Sequence, residues 1–224
     1  LSSSSAASDV YKRQGLNRAR GVAVIAPDTT RAQMDELHAA GIRGVRVNLE
    51  TAGVVDPAAS AQKLKAAVDQ VQARGWHVQT YTRLAIIAAL KDQLMQMPVP
   101  LVVDHFGGAR GELGTGQPGF QALVELVKSG KAYVKISGAY RSSNAAPDFA
   151  DMIPFAQALI AANPDRIVWG TDWPHPNTSL KKPATEISEP EPIDDGLVLS
   201  QLAKWAPDPA IRRKILVENP ARLY

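Results

Sequence analysis

Two stretches of this chain put proton-handling side chains where a strand runs out. Residues 166–176 read RIVWGTDWPHP: a short apolar run, then Gly170, Thr171 and Asp172, then a turn in which two prolines flank His175. Residues 100–108 read PLVVDHFGG and end a second apolar run on His105. A buried strand that delivers a carboxylate or an imidazole to its C-terminal end is how parallel α/β enzymes present chemistry. A lone Asp in such a turn is more often a cap, and a lone strand-end His more often structural. His105 and Asp172 on one rim weigh more together, because that pairing suits an oxygen/nitrogen zinc site or a carboxylate-base hydrolase. The other two histidines lie elsewhere. His38 sits on an amphipathic helix as a packing or solvated residue, and His77 opens its strand at the far end from the rim.

The elements that must position these residues alternate regularly. Apolar, β-branched runs at 21–27, 44–50, 76–82, 100–106, 132–138 and from 166 onward read as strands. Helical periodicity at 30–40, 58–74, 84–97, 120–129 and 147–162 separates them, and two further helical stretches at 197–205 and 210–217 close the chain. Six β/α units in strict alternation mean a parallel sheet covered by helices. No GxGxxG follows any strand, which argues against a dinucleotide-binding sheet. The expected fold is α/β, a (β/α)8 TIM barrel with about six of its eight units present. The first two units are assigned to a lost upstream segment. Residues 1–14, LSSSSAASDVYKRQ, read as a non-native leader and 15–224 as the partial barrel domain. The proline-rich loop 181–192 follows the strand that carries Asp172, where a lid would be placed.

Side-chain alternation then points to one end of the barrel. Arg46 and Asn48 oppose Val45 and Val47; Gln79 and Tyr81 share a face; Lys135 and Ser137 oppose Val134 and Ile136. His105 shares a face with Val103, and Asp172 with Gly170. A barrel interior built only for packing would be lined with Val, Ile and Leu, so the polar set reads as a site. Lys135 and Asn48 also fit a buried structural network.

Bulk composition narrows the partners. At 224 residues, 45% hydrophobic and 21% charged, the chain suits one folded domain with a real core. The net charge is +3 and the pI about 9.2, with no basic run interleaved with aromatics, so nucleic acid is not an expected partner. The mild positive bias suits an anionic small molecule. With zero cysteines, any metal site must use His and carboxylates. No apolar run approaches membrane-spanning length and no secretory signal opens the chain, so the expected compartment is the cytoplasm.

The segments PLVVDHFGG, YVKISGAYR, RIVWGTDWPHP and the closing ENPARLY, in that order, resemble the amidohydrolase-related TIM-barrel hydrolases. Within these the likeness is nearest to the 2-pyrone-4,6-dicarboxylate lactonases, and it runs from about Gly21 to Tyr224. The resemblance implies an HxH pair on the first strand, a His on the sixth and an Asp on the eighth. His105 and Asp172 match the latter two, and no HxH occurs here. It further implies that Asp172 activates water and His105 polarises the scissile carbonyl. Arg46, Tyr81, Arg141 and His175 would contact a carboxylated substrate. A second basic residue expected soon after Arg46 is missing from NLETAG. Members need not use a metal; if zinc is used, His105 and Asp172 are its ligands. The implied function is opening of a lactone or cyclic ester. A zinc-dependent non-oxidative aromatic decarboxylase and a non-catalytic binding module remain as alternatives.

Overall fold

The computed structural model describes residues 19–176 and 189–224. Six parallel strands form one sheet in chain order: β1 (Gly21–Ala23), β2 (Ile42–Asn48), β3 (His77–Tyr81), β4 (Leu101–Val103), β5 (Ala132–Ile136) and β6 (Ile167–Trp169). Sequential parallel order with a helical crossover after each strand curls the sheet into a half-barrel. The expected alternation of six units is therefore observed. The leader 1–14 and most of the candidate lid lie outside the described residues.

Capping explains where the crossover helices start. Helix α1 (Arg31–Ala39) opens on a capping box, in which the Gln33 amide donates to the Thr30 hydroxyl and the Gln33 carbonyl accepts from the Thr30 amide at 2.8 Å. Helix α2 (Pro57–Val71) has Asp56 as its cap and Pro57 in its first turn. It runs through one 3-10 turn and stops at Gly75, whose φ of +66° is left-handed. The expected helix over 84–97 is two short ones, α3 (Leu84–Ala89) and α4 (Lys91–Met95), broken at Leu90 where ψ reaches 5°. Helix α5 (Phe120–Lys128) buries Phe120, Leu123, Leu126 and Val127 against the sheet. Truncating one of these, such as Leu126→Ala, removes about 2–5 kcal/mol of stability on the usual scale for core leucines.

Helix α6 (Ile153–Ala162) starts later than the sequence suggests, after a 3-10 turn at Ala150–Met152. Helix α7 (Asp195–Trp205) is capped by Asp194, whose carboxylate accepts from two backbone amides. The last expected helix, 210–217, is two pieces, α8 (Pro209–Arg213) and a π-turn at Lys214–Glu218, and a further short helix, α9 (Asn219–Leu223), follows it. Among the described residues no helix is long and apolar enough to cross a membrane.

The two faces of the sheet differ as the alternation requires. Val45, Val78, Leu101, Val103, Val134, Ile136 and Ile167 face the helices and form the main core. Among the described residues, Val102, Tyr133 and Val168 form the buried apolar cluster on the inner face. Most of the other described side chains on that face are polar, Val22 of β1 excepted.

Candidate active site

The polar inner face lines a cavity of about 810 Å³ at the C-terminal ends of the strands. Arg46, Asn48, Gln79, Tyr81, Lys135 and Ser137 all reach it, as alternation along β2, β3 and β5 predicts. His105 and Asp172 also line it; alternation from Val168 through Gly170 puts Asp172 there, but it does not put His105 there. By strict alternation His105 would follow Val103 toward the helices. Its backbone instead turns left-handed, with φ at 50°, and swings the imidazole into the cavity. Asp172 also has a left-handed φ, of 69°. Non-glycine residues held there cost about 1–3 kcal/mol each, strain that collects at functional sites.

The pair is tightly built. Asp172 Oδ2 accepts from Tyr140 Oη at 2.7 Å and from Arg141 Nε at 2.6 Å. Its Oδ1 lies 3.7 Å from His105 Nε2. His105 Nδ1 lies 3.2 Å from both the Ser137 carbonyl oxygen and the Ser137 hydroxyl: a protonated Nδ1 donates to the carbonyl and leaves a lone pair on Nε2, whereas a bare Nδ1 accepts from the hydroxyl and leaves the proton on Nε2. Burial lowers the His105 pKa, against the pull of Asp104 and Asp172, and keeps the ring neutral. Burial and the Asp172 carboxylate push the Tyr140 phenol up, so it stays a donor. Gly138, at φ +59°, makes the convergence possible. A Cβ there would come within 2.9 Å of both Asp172 Oδ2 and His105 Nδ1.

Below this pair lies a residue that sequence reasoning missed. Asp104 is 1% exposed and ion-pairs with Arg46 Nε at 3.0 Å and Lys135 Nζ at 3.0 Å. Gln79 Nε2 donates to it at 3.0 Å. Burial alone would raise its pKa, but the surrounding positive charge, Lys135 foremost, holds it at about 2. The signal was available: Val102 faces inward, so Asp104 two residues on does too.

The remaining expected residues divide. Tyr81 stands edge-on to His105, with ring centroids 4.9 Å apart, and beneath the Arg46 guanidinium. Arg141 lines the cavity yet is engaged with Asp172 and, through Nη2, with the Pro176 carbonyl at 3.3 Å. His175 is not among the residues lining the cavity. It is buried behind the Asp172 turn, its Nε2 3.1 Å from Asp195 Oδ1 and its ring edge-on to Tyr140. The expected direct substrate contact by His175 is thus not what its position offers.

If zinc is used, its expected ligands are His105 and Asp172. Among the described residues no three His, Cys, Asp or Glu side chains are grouped to hold an ion, and Asp172 Oδ2 already accepts two hydrogen bonds. This donor set does not fit a zinc centre.

Known proteins share this arrangement of elements. The chain is 35% identical over 205 residues to a 4-sulfomuconolactone hydrolase from Hydrogenophaga intermedia, covering 89% of this chain and 63% of that protein. It is 32% identical over 225 residues to a 2-pyrone-4,6-dicarboxylate hydrolase from Comamonas testosteroni, covering 96% of this chain and 70% of the relative. An Acinetobacter baumannii structure, a "probable 2-pyrone-4,6-dicarboxylic acid hydrolase" with citric acid bound, superposes with a TM-score of 0.73 at 27% identity. That match covers 94% of this chain and 74% of the other. Residues 8–224 match the sequence profile of the amidohydrolase family (Amidohydro_2), and the chain belongs to that family.

Proposed function

We propose that the protein hydrolyses a lactone or related cyclic ester of an anionic, carboxylated small molecule. The observation that carries the reading is the pair of acceptors, Asp172 Oδ1 and His105 Nε2, 3.7 Å apart and open to one polar cavity. The names of the two relatives, both lactone hydrolases, support it, as does the citric acid bound to the structural neighbour. The reading also takes the six β/α units as part of a (β/α)8 barrel, supported by the greater length of both relatives.

Water in this geometry donates one hydrogen to each acceptor. Asp172 removes a proton as the water oxygen bonds to the ester carbonyl carbon. The tetrahedral intermediate then expels the ring oxygen, which takes the proton back, leaving one carboxylic acid and one hydroxyl. His105 works here as an acceptor that orients water. In that role it is the neutral Nδ1–H tautomer, with Nδ1 donating to the Ser137 carbonyl, and Nε2 then carries no proton to polarise a carbonyl, the role expected from sequence. That polarisation falls to the Arg141 guanidinium beside Asp172. Tyr140 and Arg141 hold Asp172 so that Oδ1, and not Oδ2, takes the proton.

Turnover of a panel of carboxylated lactones tests the reading, with Asp172→Asn as the key variant. Asn keeps the size but cannot accept the proton, so kcat falls by about 10²–10⁴ while KM moves little. No hydrolysis of any panel member, or an Asn variant that keeps more than about a tenth of kcat, overturns it.

A further inference from the structure

We propose that Trp173 is the wall against which the ligand lays a flat, unsaturated ring, so that the indole selects planar conjugated lactones over saturated ones of equal charge. The proposal rests on the hydrolase reading for its substrate, while the preference for a flat ring stands on the indole itself. The chain has four tryptophans and the fold shelters three of them. Trp76 and Trp205 are each 1% exposed and Trp169 is half-buried, whereas Trp173 is 69% exposed. A large aromatic side chain is among the strongest contributors to a core or an interface, and this one is withheld from the core. Trp173 follows Asp172 in the chain and lines the same cavity as Asp172 and His105.

The tyrosine rings of this cavity are already engaged. Tyr81 stands edge-on to His105 and under the Arg46 guanidinium, and Tyr224 meets the His77 ring edge-on with centroids 5.1 Å apart. Among the described residues the Trp173 indole enters no such ring or cation contact, so its faces are open to a ligand. The turn beneath it is closed. The Trp173 amide donates to Thr171 Oγ1 at 3.1 Å, the His175 amide donates to the Asp172 carbonyl at 2.9 Å, and Pro174 and Pro176 fix φ on the far side. A ligand therefore meets an indole whose backbone is ordered in advance.

Ring chemistry sets the class of ligand. A conjugated lactone is flat, and its carbonyl and carboxylate groups draw electron density out of the ring. The indole face is electron-rich, so the two stack with an offset. A saturated lactone of the same charge puckers and covers less of the indole. The polar groups of the inner face read the substituents of the ring and not its flatness. Trp173 is therefore a specificity-determining residue, placed next to the proposed base.

The test is calorimetric titration of the whole 224-residue chain with isophthalate and with cis-cyclohexane-1,3-dicarboxylate, which carry the same two carboxylates on a flat and on a puckered ring. Isophthalate should bind more tightly by about threefold or more, the size of one aromatic pair beyond its buried area. Acrylamide quenching gives a second reading, because Trp173 is the most exposed of the four indoles. Isophthalate should protect the quenchable emission, and Trp173→Phe should remove most of it. Trp173→Leu, which keeps an apolar side chain and gives up the flat one, should erase the preference between the two ligands, and Trp173→Phe should keep part of it. A side chain this exposed carries little of the fold, so both variants should melt with the wild type. No isophthalate binding by the wild type, a preference below about twofold, a preference unchanged in Trp173→Leu, or isophthalate binding that leaves the indole unprotected overturns the proposal. A flat-ring preference that Trp173→Leu erases, in a chain that opens no carboxylated lactone, would refute the hydrolase reading alone. Lactone turnover with the flat-ring preference intact in Trp173→Leu would refute the ring wall alone.

Discussion

Replacing Gly138 by alanine asks whether the spacing of Asp172 and His105 is set by the space that glycine leaves. Two costs are involved and a second glycine separates them. Gly75 has a φ of +66°, close to the +59° of Gly138, but a Cβ at Gly75 would meet nothing within 4 Å. Gly75→Ala therefore reports only the left-handed backbone penalty of about 1–2 kcal/mol. In a domain of this size each kcal/mol moves Tm by roughly 2–4 °C, so Gly75→Ala should melt about 2–8 °C lower and keep full activity. Gly138→Ala carries the same penalty and adds a collision. Its Cβ would lie 2.9 Å from Asp172 Oδ2 and from His105 Nδ1, and 3.3 Å from the Arg141 Cδ. Relaxed contacts need about 3.5 Å, so the carboxylate and the imidazole must each retreat by about half an ångström. Misplacement by about 1 Å can cost some 10²-fold in rate, so kcat of Gly138→Ala should fall at least about tenfold below that of Gly75→Ala. Thermal melts and lactone turnover at equal folded concentration measure the two effects. A Gly138→Ala kcat within about threefold of Gly75→Ala would show that the site does not depend on that gap.

His77 is neutral in the fold, its pKa lowered to about 4 by burial first and by Lys135 second, against an ordinary value of 6.5. The unfolded chain binds that proton more readily, so stability is full above pH 6.5 and is lost as pH falls toward 4. Urea melts should show about 2 kcal/mol less stability at pH 5 than at pH 7.5, and His77→Leu should remove His77's share of the slope. A wild-type slope of zero would refute the buried neutral ring. Gly44 lies face-on to that same ring, and an added Cβ would collide with it. Gly44→Ala should destabilise by about 1–3 kcal/mol, and adding His77→Ala should return part of the loss; strictly additive effects would count against the contact.

Much of the fold could be read from residue order because each signal was local. Strand runs such as HVQTY and AYVKI alternate, and Thr30, Asp56, Gly41 and Gly75 mark helix ends through their own side chains or lack of them. Errors arose where tertiary forces decide. Strand β1 stops at Ala23 although VIAP continues the apolar run, because Val24 faces solvent at 66% exposure. The break at Leu90 carries no glycine or proline. At the site, His105 and Asp172 were legible as strand-end residues, but the route by which His105 arrives was not. A left-handed φ at a histidine or an aspartate is invisible in composition. Asp104 was legible too, because alternation from Val102 alone places it inward. His175 drew attention by chemistry, yet its buried place beside Asp195 depends on a helix that begins 20 residues later.

The turn that carries Asp172 has a consequence for how the molecule opens. The His175 amide donates to the Asp172 carbonyl at 2.9 Å, the Glu191 amide to the His175 carbonyl at 2.8 Å, and Pro176 bridges to Pro190. That segment runs directly into α7, whose last residue, Trp205, packs edge-on to Phe106 with centroids 5.6 Å apart. Phe106 follows His105 in the chain. The two halves of the proposed water-binding pair are thus joined a second time, around the outside, through one helix. Local unfolding of α7 would release both at once, so hydrogen exchange should show the amides of His175 and Gly107, which donate to Asp172 and Asp104, opening together and more readily than those of the central strands.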